Sequence, residues 1–294
     1  MSECQSKRGP TFAYAMRSFS GYLRGTGKAE HTIANYQSDL RVFERFVHEK
    51  LARKRVLVSD LNLPDLRKYA EYLRSQGFHD NTRRRRLLTV RRLFQYLKKR
   101  GKLNLDLGRK LPAPHKVEKV PRVIEVDELL EKVKRLPQET HLQSRNRSLL
   151  WTMLETGALV SEIAALRLEQ VVLESSCIEV LGKNARQIPI SKDLRAALHQ
   201  LGELNRGSSF LFQGFNRHGP VGNTSITPRG IELLFKRHQA DFGKITPRMV
   251  RHSVVVHWAR RGETQRKIQE WLGLKTDYAF RAYAPLIKAF ALKS

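Results

Sequence analysis

Cysteine, long apolar runs and acidic side chains are all scarce in this chain of 294 residues. Its two cysteines, Cys4 and Cys177, are far apart and isolated from any cluster of histidines, which argues against a disulfide framework and a zinc site. No apolar run approaches the roughly 18 residues that span a membrane, and residues 1–21 contain no signal-peptide block. We therefore expect a cytoplasmic protein that neither crosses a membrane nor binds a metal.

The shortage of acidic residues leaves the chain strongly basic. Lysine and arginine together number 55 against 28 aspartates and glutamates, so the formal net charge is +27. Residues 1–110 and the remainder are both basic, which differs from a basic tail on a neutral domain. Self-repulsion of this size opposes compaction unless a polyanion offsets it, so nucleic acid is the expected partner. Composition alone leaves open a merely solvated or ribosome-associated basic protein.

Apolar residues recur at helical spacing in four segments near the start of the chain. We predict helices at 12–24, 31–50, 64–77 and 81–102, which would form a compact four-helix module. The fourth helix contains a run of arginines, Arg83, Arg84, Arg85 and Arg86. Such a run points to all sides of a helix, and positive charge at a helix start opposes the helix dipole. We predict that this run, together with Arg91, contacts DNA phosphates; the alternative is a solvated helix start.

The helical pattern stops between residues 104 and 122, where three prolines occur with little periodicity. We predict an extended linker at 109–122 that joins an N-terminal domain, 1–108, to a second domain, 123–294. Five lysines and arginines between residues 104 and 122 suit the linker to follow a DNA backbone.

The second domain contains further amphipathic segments. We predict helices there at about 192–204, 228–241, 247–261 and 264–272. Two runs rich in β-branched residues, 175–183 and 185–191, are separated by a tight turn and predict a β-hairpin. The fold class expected for the whole chain is therefore mostly α with a small β-hairpin or sheet.

Four stretches of the second domain resemble, in order and spacing, the boxes of the tyrosine recombinase (phage integrase) family, especially its Xer-like bacterial members. "ETGALVSEIAALRLEQV" resembles the first box, T-G-x-R-x-S-E and a leucine-rich helix. "EVLGKNARQIPI" resembles the hairpin that presents a catalytic lysine. "ITPRMVRHSVVVHWARRG" resembles the second box, T-P-H-x-x-R-H-S/T. "IQEWLGLKTDYAFRAYAP" resembles the closing L-G-H segment, with a tyrosine nine residues after its last position.

The N-terminal stretch "TFAYAMRSFSGYLRGTGKAEHTIANYQSDLRVF" is similar to the helical core-binding domain of the same family. The resemblance thus covers roughly residues 10–290. It implies a two-domain DNA clamp, in which the N-terminal core-binding domain is followed by a tyrosine recombinase catalytic-type domain. It also implies double-stranded DNA as the partner, a homo- or hetero-oligomer that is a tetramer on DNA, and a nucleoid-associated location in the cytoplasm.

The family's chemistry needs no cofactor. A tyrosine nucleophile keeps the energy of a broken phosphodiester in a phosphotyrosyl ester, without metal or ATP. Guanidinium donors stabilise the charge that grows on the phosphate, and a lysine can protonate the leaving DNA oxygen. By resemblance, Tyr283 is the nucleophile, Arg251 is the second arginine of the clamp, and Lys183 is the hairpin lysine on a shorter turn. The same resemblance gives Glu162 a capping or pairing role and His252 a structural one.

Three positions depart from the family pattern. Leu159 stands where the first arginine belongs, Arg248 replaces a histidine or lysine, and Leu274 replaces a late histidine or tryptophan. Arg248 keeps a positive charge but cannot act as a base, because its pKa exceeds about 12. Loss of one preorganised donor costs about 10²–10³ in rate by analogy with oxyanion holes. We therefore predict that strand cleavage through a 3′-phosphotyrosine at Tyr283 is impaired.

Other interpretations remain open. Arg248, one turn before Arg251, can replace the missing arginine and restore a fully active recombinase; Arg167 and Arg186 are weaker candidates. The chain can also be a catalytically inactive accessory or regulatory DNA-binding protein beside a competent recombinase. A basic scaffold for RNA is a further alternative, although the sequence lacks the motif of a common RNA-binding module.

Overall fold

The computed structural model describes residues 9–53, 56–115, 122–172, 174–182, 184–205, 207–276, 280–281, 283–285 and 287. The chain divides into two compact units, Met1–Lys119 and Val120–Ser294, each with its own apolar core. Most described residues are helical, and the strands form two small antiparallel sheets. The predicted fold class, mostly α with a small β element, is confirmed.

The N-terminal unit contains the four predicted helices. They are α1 (Phe12–Gly25), α2 (Glu30–Lys50), α3 (Leu63–Ser75) and α4 (Asp80–Lys99). Their apolar faces meet in a core rich in aromatic rings, where the ring centroid of Phe43 lies 5.5 Å from that of Phe12 and 4.8 Å from that of Tyr69. Burial of these large rings supplies the main stabilisation of a helical module of this size.

The segment after α4 packs on this core. A short 3₁₀ turn, Leu107–Lys110, lies so close to α4 that a Cβ atom at Gly108 would come within 2.8 Å of the Cα atom of Arg91. Leu111 is fully buried, and its carbonyl accepts a hydrogen bond from Nε of Arg91 at 2.6 Å. The first residues of the predicted linker 109–122 are therefore packed, whereas 116–121 lie outside the described residues. The domain limits 1–108 and 123–294 stay predictions.

Eight helices are described in the second unit. They are α5 (Val126–Lys134), α6 (His141–Thr156), α7 (Val160–Ala165), α8 (Lys192–Leu204), α9 (Pro228–Arg237), α10 (Gln239–Phe242), α11 (Pro247–Arg260) and α12 (Gln265–Leu272). Helix α6 is buried along most of its length and contacts both α8 and α11. The predicted helix at 228–241 is two helices, because the chain leaves helical geometry at His238.

The strands form one predicted and one unpredicted hairpin. The predicted one is β2 (Cys177–Val180) with β3 (Arg186–Pro189), which pairs Ile178 with Ile188 and takes β1 (Val171–Val172) as a third strand. The other joins β4 (Gln213–Asn216) to β5 (Gly219–Ser225). Its second strand reads GPVGNTS, which lacks the alternating β-branched pattern that a strand prediction requires.

Two further searches bear on the composition. Among the described residues, no helix is long and apolar enough to cross a membrane. Within the same residues, no three histidine, cysteine, aspartate or glutamate side chains are grouped as metal ligands would be. Cys177 is a buried free thiol.

Candidate active site and nucleic-acid interface

Helix α11 carries the residues of the second box. Thr246 caps the helix, since its hydroxyl accepts a hydrogen bond from the Met249 N–H, and Pro247 occupies the first helical position, where no N–H is needed. Arg248 is exposed in the first turn and Arg251 follows one turn later, half-buried. The Thr-Pro pair thus fixes where the helix starts and, through the helical repeat, which arginine faces inward.

Arg251 connects three parts of the second unit. Its Nη1 donates to the carbonyl oxygen of Gly157 at 2.6 Å, and its Nη2 donates to that of Leu272 at 2.9 Å. These carbonyls lie at the ends of α6 and α12, where Gly157 and Gly273 take the left-handed conformation. Unpaired carbonyls at helix ends need donors, and Arg251 supplies them from a third helix.

Tyr283 lies beside Arg251 and is buried, with 6% of its surface exposed. Burial lowers the pKa of Arg251, while Tyr283 raises it through its charge and through a side-chain hydrogen bond. The ring centroid of Tyr283 lies 5.3 Å from that of His252 and 5.7 Å from that of Phe280. The candidate nucleophile and the arginine predicted to serve it are therefore brought together.

His252 contacts both Tyr283 and the first turn of α11. Burial, assisted by the charges of Arg248 and Arg251, lowers the pKa of His252 to about 4, so the imidazole is neutral at pH 7. Nε of Arg248 donates a hydrogen bond to Nε2 of His252 at 3.2 Å. Sequence reasoning assigned His252 a structural role, and no pattern in the sequence signals its contact with a tyrosine 31 positions later.

Leu159 keeps the backbone role of its position without the family's side chain. It caps the start of α7, and its N–H donates to Oε2 of Glu162 at 2.7 Å. Its side chain is 42% exposed. Leu274 is half-buried and packs against the apolar cluster that contains Val255 and Tyr283. One substituted position thus faces solvent, and the other contributes to packing.

An ion pair lies next to Leu159. Nη1 and Nη2 of Arg186 donate to the two carboxylate oxygens of Glu162, each at 2.8 Å, and Nε donates to the carbonyl of Trp271 at 2.6 Å. Only 3% of the Arg186 side chain and 16% of the Glu162 side chain are exposed. Burial raises the pKa of Glu162, but hydrogen bonds from Arg186 and the Leu159 N–H lower it by more. The predicted pairing role of Glu162 is confirmed.

The arginines considered as replacements for the missing one differ in their surroundings. All three guanidinium nitrogens of Arg186 donate to acceptors within the protein. Arg167 donates to the hydroxyl of Ser209 and stacks over the ring of Phe210, 5.0 Å from its centroid. Arg248 is the exposed one next to Arg251, and its described hydrogen bond is to a neutral histidine.

Lys183 lies outside the described residues. The hairpin that carries it is described on both sides, since β2 ends at Val180 and β3 begins at Arg186. The family role of this lysine stays a prediction.

Three of the five arginines predicted to contact DNA are tied to nearby groups of the N-terminal unit. Arg83 forms an ion pair with Asp80 at the start of α4. Nη1 of Arg84 donates to the carbonyl of Pro114 at 2.7 Å, and Arg91 donates to the segment after α4 as described above. These contacts fasten that segment to α4.

Arg85 and Arg86 share a buried carboxylate. Asp39, 2% exposed, accepts hydrogen bonds from Nη1 of Arg85 at 2.8 Å and from the Thr89 hydroxyl at 3.1 Å. Nε of Arg86 lies 3.7 Å from its other oxygen, and the Arg86 guanidinium also covers the Phe78 ring at 4.0 Å. The opposition between this run and the helix dipole is thus offset by an acid on α2, 46 positions earlier than Arg85.

Two family models match the chain. The model described as "Phage integrase family" matches residues 122–288, and "Phage integrase, N-terminal SAM-like domain" matches residues 16–101. The tyrosine recombinase XerC of Roseiflexus sp. (strain RS-1) is 31% identical over 259 residues, or 83% of this chain and 80% of the relative. XerC of Chromobacterium violaceum is 27% identical over 263 residues, or 88% and 85%.

Solved structures share the fold at low sequence identity. A lambda integrase tetramer bound to a Holliday junction has a TM-score of 0.71 and 15% identity, and the match covers 93% of this chain and 80% of that one. The Tn1549 transposon integrase in complex with circular intermediate DNA has a TM-score of 0.67 and 14% identity, with 92% and 95% covered.

Proposed function

Because the chain belongs to the phage integrase family, we propose that it is a DNA-binding protein of site-specific recombination or integration whose own strand cleavage is impaired. The observation that carries the proposal is Leu159, which is 42% exposed in the place of the first clamp arginine while Glu162 keeps the helix cap beneath it. The position is held ready for a phosphate ligand, and the ligand is absent.

The reaction that remains possible is a transfer through Tyr283. Its hydroxyl oxygen attacks a DNA phosphorus, a tyrosyl oxygen–phosphorus bond forms, and the bond to the 5′ oxygen breaks. The tyrosine loses its proton and the departing 5′ oxygen gains one, which is the role that resemblance gives to Lys183. Arg251 supports the developing negative charge with the N–H donors that its two carbonyl bonds leave over. A second guanidinium is what Leu159 fails to supply.

A second candidate function is a fully active recombinase in which Arg248 compensates. The exposure of Arg248 one turn from Arg251 favours it. In that case Arg248 must exchange its bond with His252 for the DNA phosphate, which frees Nε2 of His252 beside Tyr283. A third candidate is an inactive accessory or regulatory protein that binds beside a competent recombinase.

The remaining expectations form part of the same proposal. Double-stranded DNA fits the net charge of +27, so binding should weaken steeply as salt rises. Residues 1–108 would act as the core-binding domain and 123–294 as the catalytic-type domain. The lambda integrase relative is a tetramer on a Holliday junction, which supports a homo- or hetero-oligomer on DNA, in the cytoplasm and associated with the nucleoid.

The test is a covalent adduct assay on a nicked duplex that traps the phosphotyrosyl intermediate. The duplex sequence comes from selection of a random pool with the wild-type protein. We expect little adduct from the wild type and about 10²–10³ times more from Leu159→Arg, because one preorganised donor is restored. Leu159→Arg combined with Tyr283→Phe is the matched control and should form none.

Each other outcome selects a different candidate. Rapid adduct formation by the wild type, lost in Arg248→Gln, overturns the impairment and supports compensation. Sequence-specific binding without adduct in either the wild type or Leu159→Arg supports the accessory function instead.

A further inference from the structure

A groove runs between α2 and α4 of the N-terminal unit, with a volume of about 460 Å³. Its walls are residues spaced three, four or seven apart, so each wall is one face of a helix. Asn35, Tyr36 and Asp39 line it from α2, and Arg85 and Arg92 line it from α4. Such a surface presents several polar side chains in one direction.

The floor of the groove fixes Arg85 at one end. Nη1 of Arg85 is bonded to the buried Asp39, yet half of the Arg85 side chain, 50%, stays exposed. Thr89 donates to the same carboxylate oxygen and holds it from below. The guanidinium is therefore anchored through one nitrogen while the rest of its donor fork faces solvent, which reduces the freedom it would lose on binding.

The other side chains of the groove suit base edges. Arg92 is exposed, and its guanidinium lies 5.5 Å from the centroid of the half-buried Tyr36 ring. Asn35 is exposed on the opposite wall. Arginine pairs with O6 and N7 of guanine and asparagine with N6 and N7 of adenine in the major groove of DNA. The one acid that lines the groove, Asp39, lies beneath Arg85, where it does not face a ligand.

Stability alone is a weak reason for a buried carboxylate here. Burial raises the pKa of Asp39, and the charges of Arg85 and Arg86 with the Thr89 hydroxyl only partly oppose the rise. Buried ion pairs often contribute little to folding compared with apolar residues of similar volume. An acid that holds one exposed arginine in a fixed direction has a reason that folding does not supply.

We propose that the α2–α4 groove binds base edges of duplex DNA, and that Arg85, positioned by Asp39, reads a guanine there. Arg85 is then a specificity-determining residue and Asp39 a positioning residue that touches no DNA. This inference rests on the proposed function, since it takes duplex DNA as the partner.

The inference separates Arg85 from the other arginines of its run. Side-chain exposure is 19% for Arg83 and 14% for Arg86, against 50% for Arg85. Arg84 lines the same groove but donates to the carbonyl of Pro114. Arg92, which sequence reasoning did not select, belongs to the reading surface instead.

The experiment begins with selection of duplexes from a random pool by the full-length wild-type protein. Affinities for the enriched duplex and for a scrambled duplex of the same composition are then measured for Arg85→Gln, Asp39→Asn and Arg24→Gln. Arg24 is the matched control, because it is an exposed arginine of the same unit, paired at 2.8 Å with the exposed Glu30. Thermal melting reports whether each variant is folded.

We expect Arg85→Gln to weaken binding to the enriched duplex roughly tenfold or more, as loss of one bidentate base contact does. Binding to the scrambled duplex should fall only as much as in Arg24→Gln. Selection repeated with Arg85→Gln should lose its preference for guanine at one position. Asp39→Asn should show the same loss of discrimination with a smaller change in affinity.

Two failures are distinguishable. If the wild type enriches a sequence but Arg85→Gln keeps the same preference and falls no more than Arg24→Gln, the reading role is wrong and DNA binding stands. If the wild type enriches no duplex sequence, the proposed function fails together with this inference. Should Asp39→Asn unfold, Arg85→Gln alone decides, because its side chain is exposed.

Discussion

Two edges of the candidate active site differ in how the fold uses them. At one edge, Arg251 is half-buried and donates to the carbonyls of Gly157 and Leu272, and Tyr283 packs beside it. At the other edge, Leu159 is exposed above the cap of α7. The first edge combines a structural and a chemical role in the same side chains, whereas the second keeps the two roles in different groups.

The difference explains why the substitution lies where it does. Replacing Arg251 would leave two helix-end carbonyls without a donor, which costs stability. At position 159 only the N–H serves the fold, through Glu162, and any residue except proline provides it. A family member can therefore lose the first arginine without losing its structure.

The largest effect that would test this comparison is expected from Glu162→Ala. The substitution leaves Arg186 buried without its carboxylate and removes the cap at Leu159, so we expect the free energy of unfolding to fall by about 3–5 kcal/mol. Urea denaturation measures it. Glu128→Ala, at an exposed pair with Lys132, is the control and should change stability by less than about 0.5 kcal/mol. A fall below about 1 kcal/mol for Glu162→Ala would show that this edge has no structural frame of its own.

A smaller effect is expected from pH at the Arg251 edge. The pKa of His252 is about 4 in the folded protein and about 6.5 when unfolded, so the unfolded chain binds more protons between these values. Stability should therefore fall as pH drops from 6.5 to 4, by about 1–2 kcal/mol after allowance for solvent screening of a half-buried ring.

His252→Gln tests the assignment by denaturation at several pH values. The slope between pH 6.5 and 4 should become shallower but not vanish, because burial also lowers the pKa of His257. The contribution of Glu162 is lost only below its usual pKa, which separates it from the histidines. An unchanged slope in His252→Gln would contradict the buried, neutral ring.

The smallest effect is expected from Leu159→Arg. Its side chain is exposed and its N–H remains, so stability should stay within about 0.5 kcal/mol of the wild type. Thermal melting with and without duplex DNA checks it. A loss above about 1.5 kcal/mol would mean that Leu159 packs on something the exposed fraction does not reveal, and would erase the contrast between the two edges.

Local patterns predicted much of this molecule. The four N-terminal helices and the β2–β3 hairpin follow from periodicity and turn residues, and the family boxes indicate Tyr283 and Arg251. The partners of those side chains did not follow. Arg251 meets carbonyls 94 and 21 positions away, and Asp39 meets Arg85 across 46 positions. Long-range hydrogen bonds depend on how helices pack, and no spacing rule in one sequence encodes them.

The exposed Leu159 has a genetic consequence. Most leucine codons become arginine codons by a single base change, and here the fold would not oppose that change. If the proposed function holds, the loss of cutting is a reversible state rather than the first step of decay. A population that benefits from binding without cleavage can keep leucine, while rare revertants regain the missing guanidinium on a frame already built for it.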